Sequence, residues 1–582
     1  MTSQRGSGSQ HWYRILDGLR PGNRLAGAER INGLIMTLAT QHDLTAPSRH
    51  FSGLPVNLEH TIPQIVENAA TCYGEKPFCV GEGGRITTFR AFSTRVAGVG
   101  ARLLALGIKA GDRVAIIAPN SPEWIAAATA IMSIGAIMVP INTRFKGPEI
   151  RHVLETARVS LVFSVADFLG VNYASMTVEA CGGEGQGTLV ADLPWLKAIL
   201  TMDDPDFAPD YVDEASRNAF EAASANVLPD SVADILFTSG TTGKPKGAMH
   251  SHAQGLWMTG LWNEANDLSD ADRMALVNPF FHSFGYRSGW MSALTAGMTV
   301  YPLSVFDAGQ MLALIERERI TQLSGAPTIF FSLMEHPDFG VRDISSLRSG
   351  HTGGAKTPPE IIRAGYEKLG FEIFLTSFGQ TESTAVISTN RAGDPLDAIV
   401  NTVGRPIPLL ECRIVDPAGI DVALGERGEL LVRGPNVMLG YFEDPEQTAK
   451  TIDADGWLHT GDVAAMDDEG RLRILDRLKD IIIVGGFNAY PVEIELMLAK
   501  HPAIAEVAII GLPDERLGEV TAACATLKPG ASLEMAELTS WAREQMANYK
   551  VPRHLFIMDD LPRTPLGKIQ KFELRKQALA RL

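Results

Sequence analysis

Cysteine is scarce and unpatterned: five in 582 residues, Cys72, Cys79, Cys181, Cys412 and Cys524, with no CxxC pair and no close, even spacing. That excludes a disulfide scaffold or a zinc ribbon and reads as the reduced thiols of a cytoplasmic protein. Long apolar runs are missing too. No stretch reaches the ~18 residues of a membrane span, and 124–139 is broken by Ser133 and Gly135, so it reads as a buried helix followed by a strand. Positive charge is in deficit: 52 Lys and Arg stand against 68 Asp and Glu, a net charge of −16. No basic face for nucleic acid follows from that balance, and no electrostatic pull toward an anionic membrane. The first 50 residues lack a secretory signal's continuous apolar stretch and small-residue cleavage site. They read as a flexible extension, Ser/Gly/Gln-rich over 1–10, with Met36 a second candidate start. No internal repeat or low-complexity tract stands out.

What is present is ordinary globular composition, 45% hydrophobic and 21% charged, on a chain too long for one hydrophobic core. From about Leu58, short apolar strands alternate with 10–15-residue helical patterns: a helix over 88–106, a strand over 113–118, a helix from Glu123, and strands over 137–141, 298–303, 322–325 and 372–376. That alternation predicts an α/β fold with largely parallel sheets. After Asp394, runs over 412–415 and 428–433 bounded by Gly and Pro predict hairpins of a smaller β unit. Beyond Asp480 about 100 residues show a βαβ rhythm of their own, with strands over 481–484, 505–511 and 522–527 and a helix from Pro491. The domain boundary falls near Lys479, giving an extension at 1–50, a large domain at 51–478 and a small one at 479–582.

The densest chemical signal is Ile235-Leu236-Phe237-Thr238-Ser239-Gly240-Thr241-Thr242-Gly243-Lys244-Pro245-Lys246-Gly247. An apolar strand runs into a loop of glycines, hydroxyls and lysines. Glycines let backbone N–H groups close on an anion, hydroxyls add donors and a lysine adds charge. Pro245 and Lys246 stand where a Walker A loop would continue Lys-Ser/Thr.

This loop resembles, almost letter for letter, the signature of the adenylate-forming superfamily of acyl-CoA synthetases, luciferases and peptide-synthetase adenylation domains. The resemblance continues from Leu104-Ala105-Leu106-Gly107 to Lys568. It implies a large N-terminal domain of parallel sheets, helices and a small β-barrel-like unit, followed by a small, mobile α+β domain. It also implies an ATP-dependent, AMP-forming acid–thiol ligase using ATP, Mg²⁺ and coenzyme A. Thr238, Ser239, Gly240, Thr241, Thr242, Gly243 and Lys246 would hold phosphate. In Phe378-Gly379-Gln380-Thr381-Glu382, Phe378 would stack on adenine, Thr381 donate to phosphate and Glu382 hold Mg²⁺. Gly354 belongs to the adenine-side loop. Asp462, in Trp457-Leu458-His459-Thr460-Gly461-Asp462, and Arg477 would bind ribose. Lys479 would be the hinge, Gly486 would line the pantetheine tunnel, and Lys568, in Pro562-Arg563-Thr564-Pro565-Leu566-Gly567-Lys568, would be the catalytic lysine. His282 corresponds to a gate beside the acyl site.

The same resemblance places the acyl pocket at Tyr286, Arg287, Trp290, Gly325, Ala326 and Thr352. That set suits a medium- or long-chain acid or a bulky alicyclic one; the alternative that Arg287 offers is an acid with a polar tail. The segment Gly485-Gly486-Phe487-Asn488-Ala489-Tyr490-Pro491 is similar to synthetases of bacterial steroid-ring catabolism. An adenylating enzyme that loads a separate carrier-protein thiol shares every motif and stays open as the alternative. The expected partners are a carboxylic acid, ATP and CoA, with no nucleic acid, in a homodimer; a greasy substrate leaves peripheral membrane contact open.

Overall fold

The structure is a computed structural model describing residues 53–54, 56–183, 193–204, 207–238, 245–354, 357–484, 487–564 and 568–582. The extension expected at 1–50 lies outside the described residues. Ser48–Leu582 make one compact unit, organised around four sheets.

Two of these sheets are parallel in their interiors. In the first, strands Ile373–Phe378, Ser349–Thr352, Gln322–Gly325, Arg273–Leu276, Thr299–Pro302 and Pro77–Val80 run parallel in that spatial order, with antiparallel strands added at both edges. In the second, Val232–Thr238, Ile137–Pro140, Arg113–Ile117, Val159–Ser164 and Ala198–Thr201 are parallel. Lys246–Ser251 and Gly440–Tyr441 close one edge antiparallel. The strands are short apolar runs because both faces are covered.

The helices begin where the sequence supplies caps. Thr88 Oγ1 accepts from Ala91 N at the start of Phe89–Ala105, and Ser121 Oγ accepts from Trp124 N ahead of Pro122–Ser133. Pro122 costs nothing in that first turn, where its missing N–H would have had no partner. From Trp124 to Ser133 every residue of this helix is buried, so the Ala- and Ile-rich stretch is a core helix.

The small β unit is a four-stranded antiparallel sheet, ordered Glu411–Val415, Gly428–Arg433, Leu458–Met466, Leu472–Arg477. The chain then turns through Leu478–Asp480 into the sheet of the small C-terminal domain. The β-α-β order expected here is met by Ile482–Val484, Pro491–Leu498 and Ile504–Asp514, with both strands antiparallel to Gly518–Leu527, which lies between them. Ile504–Asp514 and Gly518–Leu527 form a long antiparallel hairpin, and only His554–Ile557 joins in parallel. The link between the two long strands, Glu515-Arg516-Leu517, is far too short for the crossover a parallel pair requires.

Candidate active site

The phosphate loop and the Phe378 motif leave the carboxyl ends of strands in the two different parallel sheets, where α/β folds bind ligands. Thr238 ends its strand half-buried. Ser239, Gly240, Thr241, Thr242 and Gly243 lie outside the described residues, as does Gly486. The chain returns at Lys246, whose Nζ donates to Gln447 Oε1 at 2.7 Å and stands 5.2 Å over the Tyr441 ring. The Tyr441 hydroxyl in turn donates to Glu382 Oε1 at 2.8 Å. Burial, then the charge of Glu382, raises the Tyr441 pKa and keeps it a donor. The strand leaving the phosphate loop is thereby tied to the carboxylate proposed for metal.

That carboxylate sits on a tightly determined turn, Thr381–Ser383. A Cβ on Gly379 would stand 2.0 Å from the Ala385 carbonyl oxygen, so no other residue fits. Thr384 (φ 54°) and Ala385 (φ 89°) adopt positive φ, a strain of about 1–3 kcal/mol each that persists only where the surroundings enforce it. They do: Thr384 Oγ1 donates to the Asn436 carbonyl (2.6 Å), Asn436 Nδ2 to the Ser383 and Val386 carbonyls, and Met438 N to the Glu382 carbonyl (2.9 Å). Among the described residues no group of three or more His, Cys, Asp or Glu forms a metal cluster. A lone hard carboxylate fits Mg²⁺ bound mainly through nucleotide oxygens and water. Phe378, half-buried, packs against the apolar core of the four-stranded sheet.

Asp462 and Arg477 face each other across adjacent strands, with Arg477 Nε 2.8 Å from Asp462 Oδ1. Among the described residues, Asp462 Oδ2 is buried with no hydrogen-bond partner. Because buried oxygens are nearly always satisfied, an orphan of this kind marks a place for a ligand donor. Burial raises the Asp462 carboxyl to about 6, against the opposing pull of Arg477 and Lys568. Lys568 sits on a loop closed by an Arg563–Ile569 bridge, a Thr564 N–H bond to its carbonyl (2.7 Å) and its own N–H bond to Thr564 Oγ1 (3.2 Å). Its side chain keeps solvent access, yet the protein crowds its ammonium. That desolvation, then Arg477, hold its pKa below the usual lysine range, while Asp462 and Asp480 pull it upward. Asp462 thus lies within electrostatic reach of Arg477, Lys568 and Glu382, and Lys568 within reach of Arg477 and Lys479.

The acyl-side expectations are met in part. His282, half-buried, caps the short helix Ser283–Gly285 by accepting from Phe284 N, and burial lowers its pKa to about 4, leaving a neutral ring. Gly325 and Thr352 end neighbouring parallel strands, and Gly354 takes a left-handed φ of 77° just beyond. Tyr286, Arg287 and Trp290 lie on one π-helical turn, Tyr286–Met291, and all three are buried, Tyr286 stacked on Trp290 at 5.1 Å.

The assignment of Arg287 to a polar acyl tail is corrected. Its Nη2 reaches both oxygens of Asp234, at 3.0 and 2.8 Å, and both side chains are fully buried. A guanidinium cannot remain buried without a counter-charge, and Asp234 supplies it from the strand leading into the phosphate loop. Burial alone would push the Asp234 carboxyl up, but Arg287 and His250 outweigh it and hold it below the usual carboxylate range. The sequence does carry a sign of this pair, a lone aspartate inside the apolar run Val232-Ala233-Asp234-Ile235-Leu236. His250 and Tyr441 carry none.

Comparison with known proteins agrees with this arrangement. The family model described as AMP-binding enzyme matches residues 66–442, and that described as AMP-binding enzyme C-terminal domain matches 493–568. The chain is 42% identical to a 3-[(3aS,4S,7aS)-7a-methyl-1,5-dioxo-octahydro-1H-inden-4-yl]propanoyl:CoA ligase of Rhodococcus jostii, over 89% of this chain and 98% of that one. It is 33% identical to a mitochondrial medium-chain acyl-CoA ligase of Danio rerio, over 93% and 91% of the respective chains. Among solved structures, an anthranilate CoA ligase in complex with anthranoyl-AMP superposes with a TM-score of 0.78 at 29% identity, covering 91% of this chain and 99% of that one.

Proposed function

We propose, from the premise that this chain belongs to the AMP-binding enzyme family and is an AMP-forming acyl-CoA ligase, that the acid it activates has a bulky alicyclic or medium-to-long aliphatic body and an uncharged tail. The carrying observation is the burial of Arg287 against Asp234, which matches the one cation on the acyl-side turn and leaves that turn aromatic and apolar. The 42% identity to a ligase named for a bicyclic propanoate supports the ring-acid form of the proposal. No observation favours a carrier-protein thiol over CoA. Turnover with ATP, Mg²⁺ and CoA across a panel of an alicyclic propanoate, an octanoate-to-laurate series, an aromatic acid and a dicarboxylate tests the reading. The alicyclic or aliphatic acids are expected to give the highest kcat/KM. Preference for the dicarboxylate would overturn the reading.

In the reaction, a carboxylate oxygen of the acid attacks the α-phosphorus of ATP, forming acyl-adenylate and releasing pyrophosphate. The CoA sulfur then attacks the acyl carbon and AMP leaves. The roles proposed here follow the geometry. Lys568 would supply its ammonium to the acid carboxylate and the α-phosphate as they react. Phe378 would offer its face to adenine, and Glu382 would hold a Mg²⁺ ion whose charge would offset that of the phosphates. Lys479, exposed on the turn Leu478–Asp480 between two sheets, is the hinge we assign between domains 51–478 and 479–582.

Asp462 takes the ribose hydroxyls on its unpartnered oxygen, and this has a sign that can be measured. Accepting those hydrogen bonds favours the ionised carboxylate, whereas the free protein protonates it at about 6. Nucleoside affinity should therefore fall as pH drops through that value. Adenosine, which has no phosphate to titrate, is expected to bind about tenfold more weakly at pH 5 than at pH 7, because at pH 5 about one carboxyl in eleven is ionised. Calorimetric titration of wild type and Asp462→Asn checks it. A wild-type affinity flat between pH 5 and 7 would remove Asp462 from the ribose site.

A further inference from the structure

Beneath the Glu382 turn lies a closed set of buried polar side chains that the reaction as described does not use. Asp234 on strand Val232–Thr238, His250 on the antiparallel strand Lys246–Ser251, and Tyr286 and Arg287 on the π-helical turn are all fully buried. Arg287 grips both Asp234 oxygens, and the Tyr286 hydroxyl donates to Asp234 Oδ2 at 3.3 Å. His250 spans the remaining gap. Its Nδ1 lies 2.9 Å from Asp234 Oδ1, and its Nε2 lies 2.7 Å from the main-chain carbonyl of Thr381. The first residue of the Glu382 turn is thus held by an imidazole whose other nitrogen rests on a buried ion pair.

We propose that His250 is a positioning residue for adenylation, acting through the Thr381 carbonyl to fix where the Glu382 carboxylate stands. The remaining anchors of the turn are Asn436 and Met438, which donate to its carbonyls at Ser383 and Glu382, and the Tyr441 hydroxyl, which donates to the Glu382 carboxylate itself. Among the described residues, the only side chain that reaches its first carbonyl is His250, which bonds it beside the Thr384 N–H of the turn itself. Asp234 and Arg287 orient the imidazole rather than the turn. Because the turn carries strained residues at Thr384 and Ala385, releasing one anchor allows it to relax. A displacement of about 1 Å at a charge-stabilising group is enough to cost ~10²-fold in rate. The inference rests on the proposed role of Glu382 and adds to it a residue that touches neither ATP nor acid.

The two nitrogens can be separated by substitution. In His250→Gln the amide nitrogen reaches the position of Nε2 and can still donate to the Thr381 carbonyl. In His250→Asn the shorter side chain reaches Asp234 and leaves that carbonyl with only the Thr384 N–H of its own turn. ATP–pyrophosphate exchange is expected to fall 10–100-fold in kcat for His250→Asn and to stay within threefold of wild type for His250→Gln. Adenosine affinity and thioester formation from supplied acyl-adenylate should be unchanged in both, which also shows that the variants are folded. Equal exchange in the two variants, a Gln variant worse than the Asn variant, or a parallel fall of both half-reactions would overturn the proposal. Glu382→Gln, run beside them, separates two failures. If it loses exchange while His250→Asn does not, the role of His250 is wrong; if it exchanges like wild type, the role of Glu382 itself is wrong.

Discussion

Lys568→Ala is expected to slow acyl-adenylate formation by about 10²–10³-fold, the usual cost of deleting one preorganised charge-stabilising donor, while thioester formation from supplied acyl-adenylate survives. The asymmetry follows from where charge develops. Pyrophosphate departure gathers negative charge around the α-phosphate, and Lys568 is the cation that the C-terminal loop holds within reach of Asp462 and Arg477. The second half-reaction breaks the bond to an already formed AMP and makes no comparable demand on that ammonium. ATP–pyrophosphate exchange and single-turnover transfer to CoA, measured on the same preparation, separate the two steps. Equal losses in both would remove Lys568 from adenylation.

The other large effect is on stability. Arg287→Met leaves the Asp234 carboxylate buried without its main counter-charge, and breaking a buried pair from one side costs about 3–5 kcal/mol. Asp234→Asn combined with Arg287→Met removes both charges and keeps an oxygen for the His250 ring, so most of that loss should return. The strongly non-additive pair is what buried ion pairs show when both members leave together. Denaturant unfolding followed by tryptophan fluorescence suits the question, because Trp290 stacks on Tyr286 beside the pair. A single variant within about 1 kcal/mol of wild type, well short of that cost, would mean that the charge is compensated elsewhere.

Much of this site could be read from the sequence because its signals are local. Thr88 and Ser121 announce the helices they cap, the short apolar runs between helices announce parallel strands, and the loop at 238–246 carries its chemistry in consecutive residues. Lys568 was readable only through the Pro-x-Thr-x-x-Gly-Lys frame around it, since a lysine near a chain end is by itself solvated surface. What stayed hidden is pairing between distant positions. Arg287 falls in the segment that the family resemblance gives to the acid, and its partner lies 53 residues upstream. Tyr441 reaches Glu382 across 59 residues and His250 reaches Thr381 across 131. In the small domain the elements and their order are legible, but the strand directions are not. Strand periodicity does not record direction, and only the shortness of the segment 515–517 reveals a hairpin.

The π-helical turn at 286–291 also bears on how the acid range of such a scaffold can drift or be redesigned. One of its side chains, Arg287, belongs both to the segment assigned to the acid and, through Asp234 and His250, to the turn assigned to the metal. On those assignments, a change selected there for a new acid would be inherited as a change in the handling of ATP. The two traits are not separately adjustable at that position. Gly325, Ala326 and Thr352, at the carboxyl ends of neighbouring strands, make no hydrogen bond to that set, so variation in acid preference is freest to accumulate there.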